Sequence, residues 1–219
     1  MKRTTWALPA AFLCMAATPA EQVRDRVLAE ARAISPAALA YDRTITVTQA
    51  GGSEKATQTR VDRWDGKAWT LVSVDGKPPS PGDVTKYRKA ASAANVPGYH
   101  RLTTLAGAAA TTDTQGRTVL RLATLPKASV ITSGKDVSEH FIAEAVVAGG
   151  PRPYVQQLRL TARAPFRMML VAKVESFVTV SDYRLDGNTP RLVRQVADIR
   201  GSMMGKDGTQ RVETIFTYR

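Results

Sequence analysis

AEAVVAGGPRPYVQQLRLTARAPFRMMLVAKVESFVTVSDYRLDGNTPRLVRQVADIRGSMMGKDGTQRVETIFTYR, residues 143–219, decides how this chain folds. β-Branched and aromatic residues recur through it, broken at short intervals by Gly, Pro, Asn and Asp. The pattern predicts strands over Phe141–Ala148, Tyr154–Ala162, Leu170–Leu185, Arg191–Met203 and Gln210–Arg219. Turns are expected at Gly149-Gly150-Pro151, Asp186-Gly187-Asn188 and Lys206-Asp207-Gly208. Consecutive antiparallel strands joined by short turns make a meander, and one of this length must curl to bury a face.

Upstream, Glu21–Ile34 carries Val23, Val27, Leu28 and Ala31 on one helical stripe, stopped by Ser35-Pro36. Leu39–Ala50, Ala56–Asp65 and Ala68–Val74 read as three strands, turned at Gly51-Gly52-Ser53 and Asp65-Gly66 and closed by Asp75-Gly76. The prolines of Lys77–Gly82 interrupt the sheet pattern. A second helix is expected to about Ala94, capped by Asp83, with Val84, Tyr87, Ala91 and Ala94 on one side. The strand pattern resumes at His100–Ala106 and Arg117–Leu125, with a mobile loop expected over Gly107–Gly116 and a helical turn within Ser133–His140. There is no βαβ rhythm and no fixed-period repeat, so one α+β, mainly β, domain of about ten antiparallel strands is predicted.

Residues 1–20 have the form of an export signal: Lys2 and Arg3, an apolar run from Trp6 to Ala17, and the small-residue exit Thr18-Pro19-Ala20. Cleavage at Ala20 is expected, leaving 21–219 as one exported domain. The apolar run is shorter than the roughly 20 residues a bilayer-spanning helix needs. Leu13 before Cys14 argues against lipidation there, and loss of Cys14 with the signal would leave a chain without thiol chemistry. The net charge of +12, less the two basic residues Lys2 and Arg3, leaves +10. Such a balance favours an anionic partner. With export expected and no aromatic or zinc-finger signature, that partner is not nucleic acid. Arg159, Arg163, Arg191, Arg194 and Arg200 on the late strands are candidates for transient contact with an anionic membrane surface.

The arrangement resembles the LolA and LolB superfamily of periplasmic lipoprotein carriers and its uncharacterised relatives. Three stretches carry the resemblance: Trp69-Thr70-Leu71-Val72-Ser73-Val74-Asp75-Gly76-Lys77-Pro78-Pro79, then Ala164-Pro165-Phe166-Arg167, and the closing Arg211-Val212-Glu213-Thr214-Ile215-Phe216-Thr217-Tyr218-Arg219. The resemblance implies an incomplete, strongly curved antiparallel β-barrel with a helical lid. It also implies a non-catalytic, monomeric carrier whose concave face holds an apolar or acylated ligand, including lipoprotein acyl chains. The alternative is a cell-envelope interaction module whose concavity its own side chains fill, and a third reading is a hydrolase or isomerase built in the same cavity.

For the inner face, alternation selects Ile45, Val47, Trp69, Leu71, Leu120, Leu122, Leu158, Leu160, Val178, Val180 and Phe216. The flexible thioethers Met168 and Met169 suit an irregular apolar ligand, and Met203-Met204 would complete a soft rim. Trp64 and Trp69 flank a turn and are expected to staple that hairpin. The catalytic inventory is thin, with two histidines and one cysteine in the whole chain. Ser138-Glu139-His140 holds triad residue types, but adjacent residues seldom align for nucleophilic relay. Neither histidine has metal-ligand spacing, and Gly201–Gly205 lacks the Lys-Ser/Thr of a phosphate loop. No cofactor, no metal and no enzymatic activity are expected.

Overall fold

A computed structural model describes residues 17–52, 54–91, 96–132, 134–169 and 172–219. The apolar part of the expected signal therefore lies outside the described residues. Helix α1, Pro19–Ala33, begins with a capping box: the Thr18 N–H donates to Glu21 Oε2 at 2.7 Å and the Glu21 N–H to Thr18 Oγ1 at 3.3 Å. A cut after Ala20 would remove that cap and the buried Ala20. The apolar stripe is as expected, with Val27, Leu28 and Ala31 buried.

Strands β1 (Tyr41–Gly51), β2 (Glu54–Trp64) and β3 (Trp69–Val74) follow, then helix α2, Pro81–Ala91. The cap of α2 is Ser80 rather than Asp83. The Ser80 hydroxyl accepts the Asp83 N–H at 3.2 Å, while the Asp83 carboxylate accepts the Ser80 N–H at 3.0 Å. Ala94 lies outside the described residues.

The expected strand at His100–Ala106 is a 3-10 helix, Tyr99–Leu105. Its buried residues Tyr99, Leu102 and Leu105 recur every third position, the repeat of a 3-10 turn. The expected mobile loop contains strand β4, Ala109–Thr112, paired with β5, Thr118–Leu122. Asp113 organises the turn between them, accepting the N–H groups of Gln115 at 2.9 Å and Arg117 at 2.8 Å. A small hairpin, β6 (Ile131–Thr132) and β7 (Lys135–Asp136), precedes the short 3-10 turn Ser138–His140.

The terminal strands are β8 (Phe141–Ala148), β9 (Tyr154–Ala162), β10 (Phe166–Met169), β11 (Ala172–Asp186), β12 (Thr189–Met203) and β13 (Lys206–Tyr218). The last hairpin turns at Met204-Gly205, not at Lys206–Gly208. Both turn residues have positive φ, 52° and 78°, the geometry that matches strand twist.

The main sheet runs β3-β2-β1-β13-β12-β11-β9-β8-β5-β4, with β10 on β11, and every pairing in it is antiparallel. The first strand pairs with the last, so the terminal meander is continued by the amino-terminal one. β3 and β4 remain as edges, and the sheet is an open half-barrel. The register shifts within the pairs β2–β3, β8–β9, β10–β11 and β11–β12, and Gly201 passes so close to the next strand that a Cβ there would run into the Lys173 carbonyl. α1 packs on the 3-10 helix, β4 and β5, closing one side of the concave face, while α2 packs on β3 at the other.

Candidate functional site: the concave face

Three environments divide the concave face. Against β1–β3 it is filled. Tyr41, fully buried, meets Trp69 at 5.8 Å, Phe216 at 5.4 Å and Tyr218 at 5.3 Å between ring centroids, and its hydroxyl donates to the Pro97 carbonyl at 2.9 Å. Trp64 and Trp69 stand opposite each other in the ladder at 5.3 Å, so they staple the hairpin. Beside them Asp62, 0% exposed, takes a bidentate bond from Arg43, whose guanidinium carbon lies 3.7 Å above the Trp69 ring. Tyr87 of α2 donates its hydroxyl to Asp62 at 3.0 Å. Burial, then the Asp62 charge, raises the Tyr87 pKa far above the ordinary phenol value, so this hydroxyl stays a donor.

The middle of the face is open. A cavity of about 410 Å³ lies over β9, β11 and β12, walled by the 3-10 helix, the Val96–Gly98 segment and the β6–β7 hairpin. Leu158, Leu160, Phe177, Leu192 and Ala197 form its apolar lining, Thr179, Ser181 and Gln195 a polar strip, and Arg101 and Ile131 contribute to its walls. Gln195 donates to Ser181 at 2.9 Å. Ile131 is 45% exposed.

At the far end of the long strands is a second depression of about 420 Å³. Met168, Val174, Ile199 and Met203 line it, facing Gln49, Glu54 and Ala56. The Met203-Met204 rim is at the hairpin tip, 57% and 78% exposed.

The eleven residues chosen by alternation and the two thioethers Met168 and Met169 are distributed unevenly among these environments. Leu158 and Leu160 line the open cavity and Met168 the second depression. The side chain of Met169 lies outside the described residues. Trp69 and Phe216 belong to the aromatic packing. Leu120 is fully buried and Leu122 packs on the core at the side closed by α1 and the 3-10 helix. Ile45 and Leu71 are each 8% exposed, and Val47 is half-buried on the same face of β1 as Tyr41.

Val178 and Val180 are corrected: they face the convex side. Phe177, Thr179, Ser181 and Tyr183 line the cavity, so the alternate residues point away, and Val178 borders a shallow depression with Thr48, Asp198 and Arg211. The cause is one extra residue. Glu175 has no opposite number on β12, because Val174 pairs with Gly201 and Ser176 with Arg200. Val174 and Phe177 therefore both reach the core, and the parity of everything beyond is reversed.

Most arginines proposed for a membrane face are engaged within the protein. Arg191 lies 2.9 Å from Asp186, Arg194 2.8 Å from Glu213, and Arg200 3.9 Å from Glu175. Arg163 donates to the Glu139 carbonyl. The Ser138 hydroxyl donates to Asp136 and accepts the Val130 N–H at 2.9 Å, while His140 stacks on Phe166 at 4.4 Å. Ser138-Glu139-His140 is thus a turn. His100 is half-buried with Nδ1 unpaired among the described residues, and burial lowers its pKa. Among the described residues, no three His, Cys, Asp or Glu side chains gather as a metal site. No helix there is long and apolar enough to cross a membrane.

Among known proteins, the chain is similar in structure to a LolA superfamily protein from Nitrosomonas europaea. The two share 10% identity, with 93% of this chain and 94% of that one covered, at a TM-score of 0.35. MucB in complex with periplasmic MucA matches at 11% identity over 90% of this chain and 94% of that one, TM-score 0.16. The MucA/MucB complex of Pseudomonas aeruginosa matches at 10% identity over 92% and 94%, TM-score 0.15. No family model and no curated protein matches the sequence. At such TM-scores the likenesses do not bear on function, and the half-barrel assignment rests on the sheet order and register.

Proposed function

We propose that this is an exported, non-catalytic, monomeric binding or carrier protein of the periplasm, which holds an apolar or acylated ligand in the open cavity of its half-barrel. The observation that carries the reading is that cavity: about 410 Å³, apolar along Leu158, Leu160, Phe177 and Leu192, and open to solvent. It lies near the lower end of the roughly 300–1,000 Å³ typical of ligand pockets, a size that suits one chain. Burial is worth about 0.8 kcal/mol per CH₂, so eight methylenes would contribute about 6 kcal/mol.

Native mass spectrometry of the protein purified without detergent, before and after incubation with lipids and a lipopeptide, tests this. A stoichiometric acyl-bearing adduct is expected. Leu160→Arg should weaken its binding by about tenfold or more, because the cation would have to lose water inside an apolar lining. A folded Leu160→Arg protein that binds as well as the parent removes this residue from the site.

The packed aromatic third of the face favours a second reading, a cell-envelope interaction module with a filled concavity. A clean apo mass under every condition would select it.

A further inference from the structure

We infer that the ligand of the open cavity is a single-chain amphiphile with an anionic head, a carboxylate or a phosphate monoester, held by Arg101; this rests on the binding reading above. On the concave side Arg43 and Arg60 share Asp62. Arg101 differs. It lines the cavity from the 3-10 helix, is half-buried, and among the described residues donates only to the Ala128 carbonyl, at a long 3.3 Å. Among the described residues no carboxylate lies within ion-pair distance of it.

A guanidinium has five N–H donors in a planar fork that matches a carboxylate or phosphate, so most of its capacity is directed to no group of the described residues. A partly desolvated cation without a counter-ion is costly, and an anion arriving with the ligand relieves that cost. The neighbouring polar groups do not compete for the role. The Ser129 hydroxyl donates to the Pro126 carbonyl at 2.6 Å, the Thr104 hydroxyl to the Arg101 carbonyl at 2.9 Å, and Gln195 to Ser181. Lined by Leu158, Leu160 and Phe177 and supplied with this one free cation among its lining residues, the cavity has the polarity of an amphiphile with a negative head.

The test uses three probes of equal chain length below their micellar concentrations: dodecanoate, dodecyl phosphate and dodecanol, titrated into the full exported protein. At least one anion is expected to bind about tenfold or more tighter than dodecanol, the range of a charge-assisted bond. The tighter of the two names the head. Arg101→Gln should bring that anion to the level of dodecanol and leave dodecanol unchanged, while Arg101→Lys retains part of the preference. If wild type binds dodecanol as well as both anions, the inference fails and the cavity reading stands. If no probe binds, the cavity reading falls and this inference with it.

Discussion

Asp62 is the residue on which the amino-terminal wall depends. It stands opposite Arg43 in the β1–β2 ladder and opposite Leu71 in the β2–β3 ladder, fully buried, with the Arg43 fork, the Tyr87 hydroxyl and the more distant Arg60 around it. A buried pair adds little over a hydrophobic replacement, but removing one partner leaves an uncompensated charge. Asp62→Asn is therefore expected to cost about 3 kcal/mol. Tyr87→Phe removes only a donor and should cost about 1 kcal/mol. Urea unfolding of the two variants checks the order, and a Tyr87→Phe loss as large as that of Asp62→Asn would contradict it.

The hairpins are where single elements are stabilised or strained. At the β2–β3 end, Asp75 takes positive φ, 49°, and compensates with its side chain, which accepts the Thr59 N–H at 2.7 Å. At the β12–β13 tip, Met204 takes the same region, φ 52°, and its 78% exposed side chain offers no comparable return. A non-glycine residue there costs about 1 kcal/mol. Met204→Gly is expected to recover about half to all of it, the remainder being offset by the flexibility that glycine adds to the unfolded chain. A melting temperature raised by a few degrees is the readout, and a lowered one would mean that the methionine packs at the tip.

For the whole molecule, acid sensitivity follows from groups whose pKa is lowered on folding. Asp42 is held down by the Arg63 hydrogen bond, Asp113 by the Arg117 backbone N–H, Asp65 by the Ala68 backbone and Asp136 by the Ser138 hydroxyl. A depressed carboxylate contributes stability that is present above its unfolded pKa, about 4, and is lost as pH falls through the folded value. His100, depressed chiefly by burial, acts with the same sign in a higher window. Its contribution is present above about pH 6.5 and declines as the unfolded chain takes up the proton more readily. Urea midpoints should be flat between about pH 7 and 9, fall gently below about 6.5, and fall steeply below about 4. His100→Gln should remove the first decline. A midpoint that rises between pH 7 and 5 would oppose this assignment.

Local chemistry alone was enough for the first hairpin of the terminal meander. The strands Phe141–Ala148 and Tyr154–Ala162 have the predicted bounds, because the alternating burial of the first and the Gly149-Gly150-Pro151 turn between them are properties of the segment itself. The apolar stripe and stop of α1, and the antiparallel α+β architecture, were legible for the same reason. The strand assigned to His100–Ala106 was not, because Tyr99, Leu102 and Leu105 choose a three-residue repeat only by packing under α1 and against Tyr183 and Val155. Nor was the facing of Val178 and Val180, which depends on an extra residue at Glu175 that has no signature in sequence. The cavity was half legible: Leu158 and Leu160 were found by alternation, but Arg101 was one of thirty-one Lys and Arg residues until the fold placed it there. Residue pattern determines strands, helices and turns because those are local equilibria. Which side chain faces a void, and which charge lacks a partner, is decided only when segments far apart in the chain are brought together.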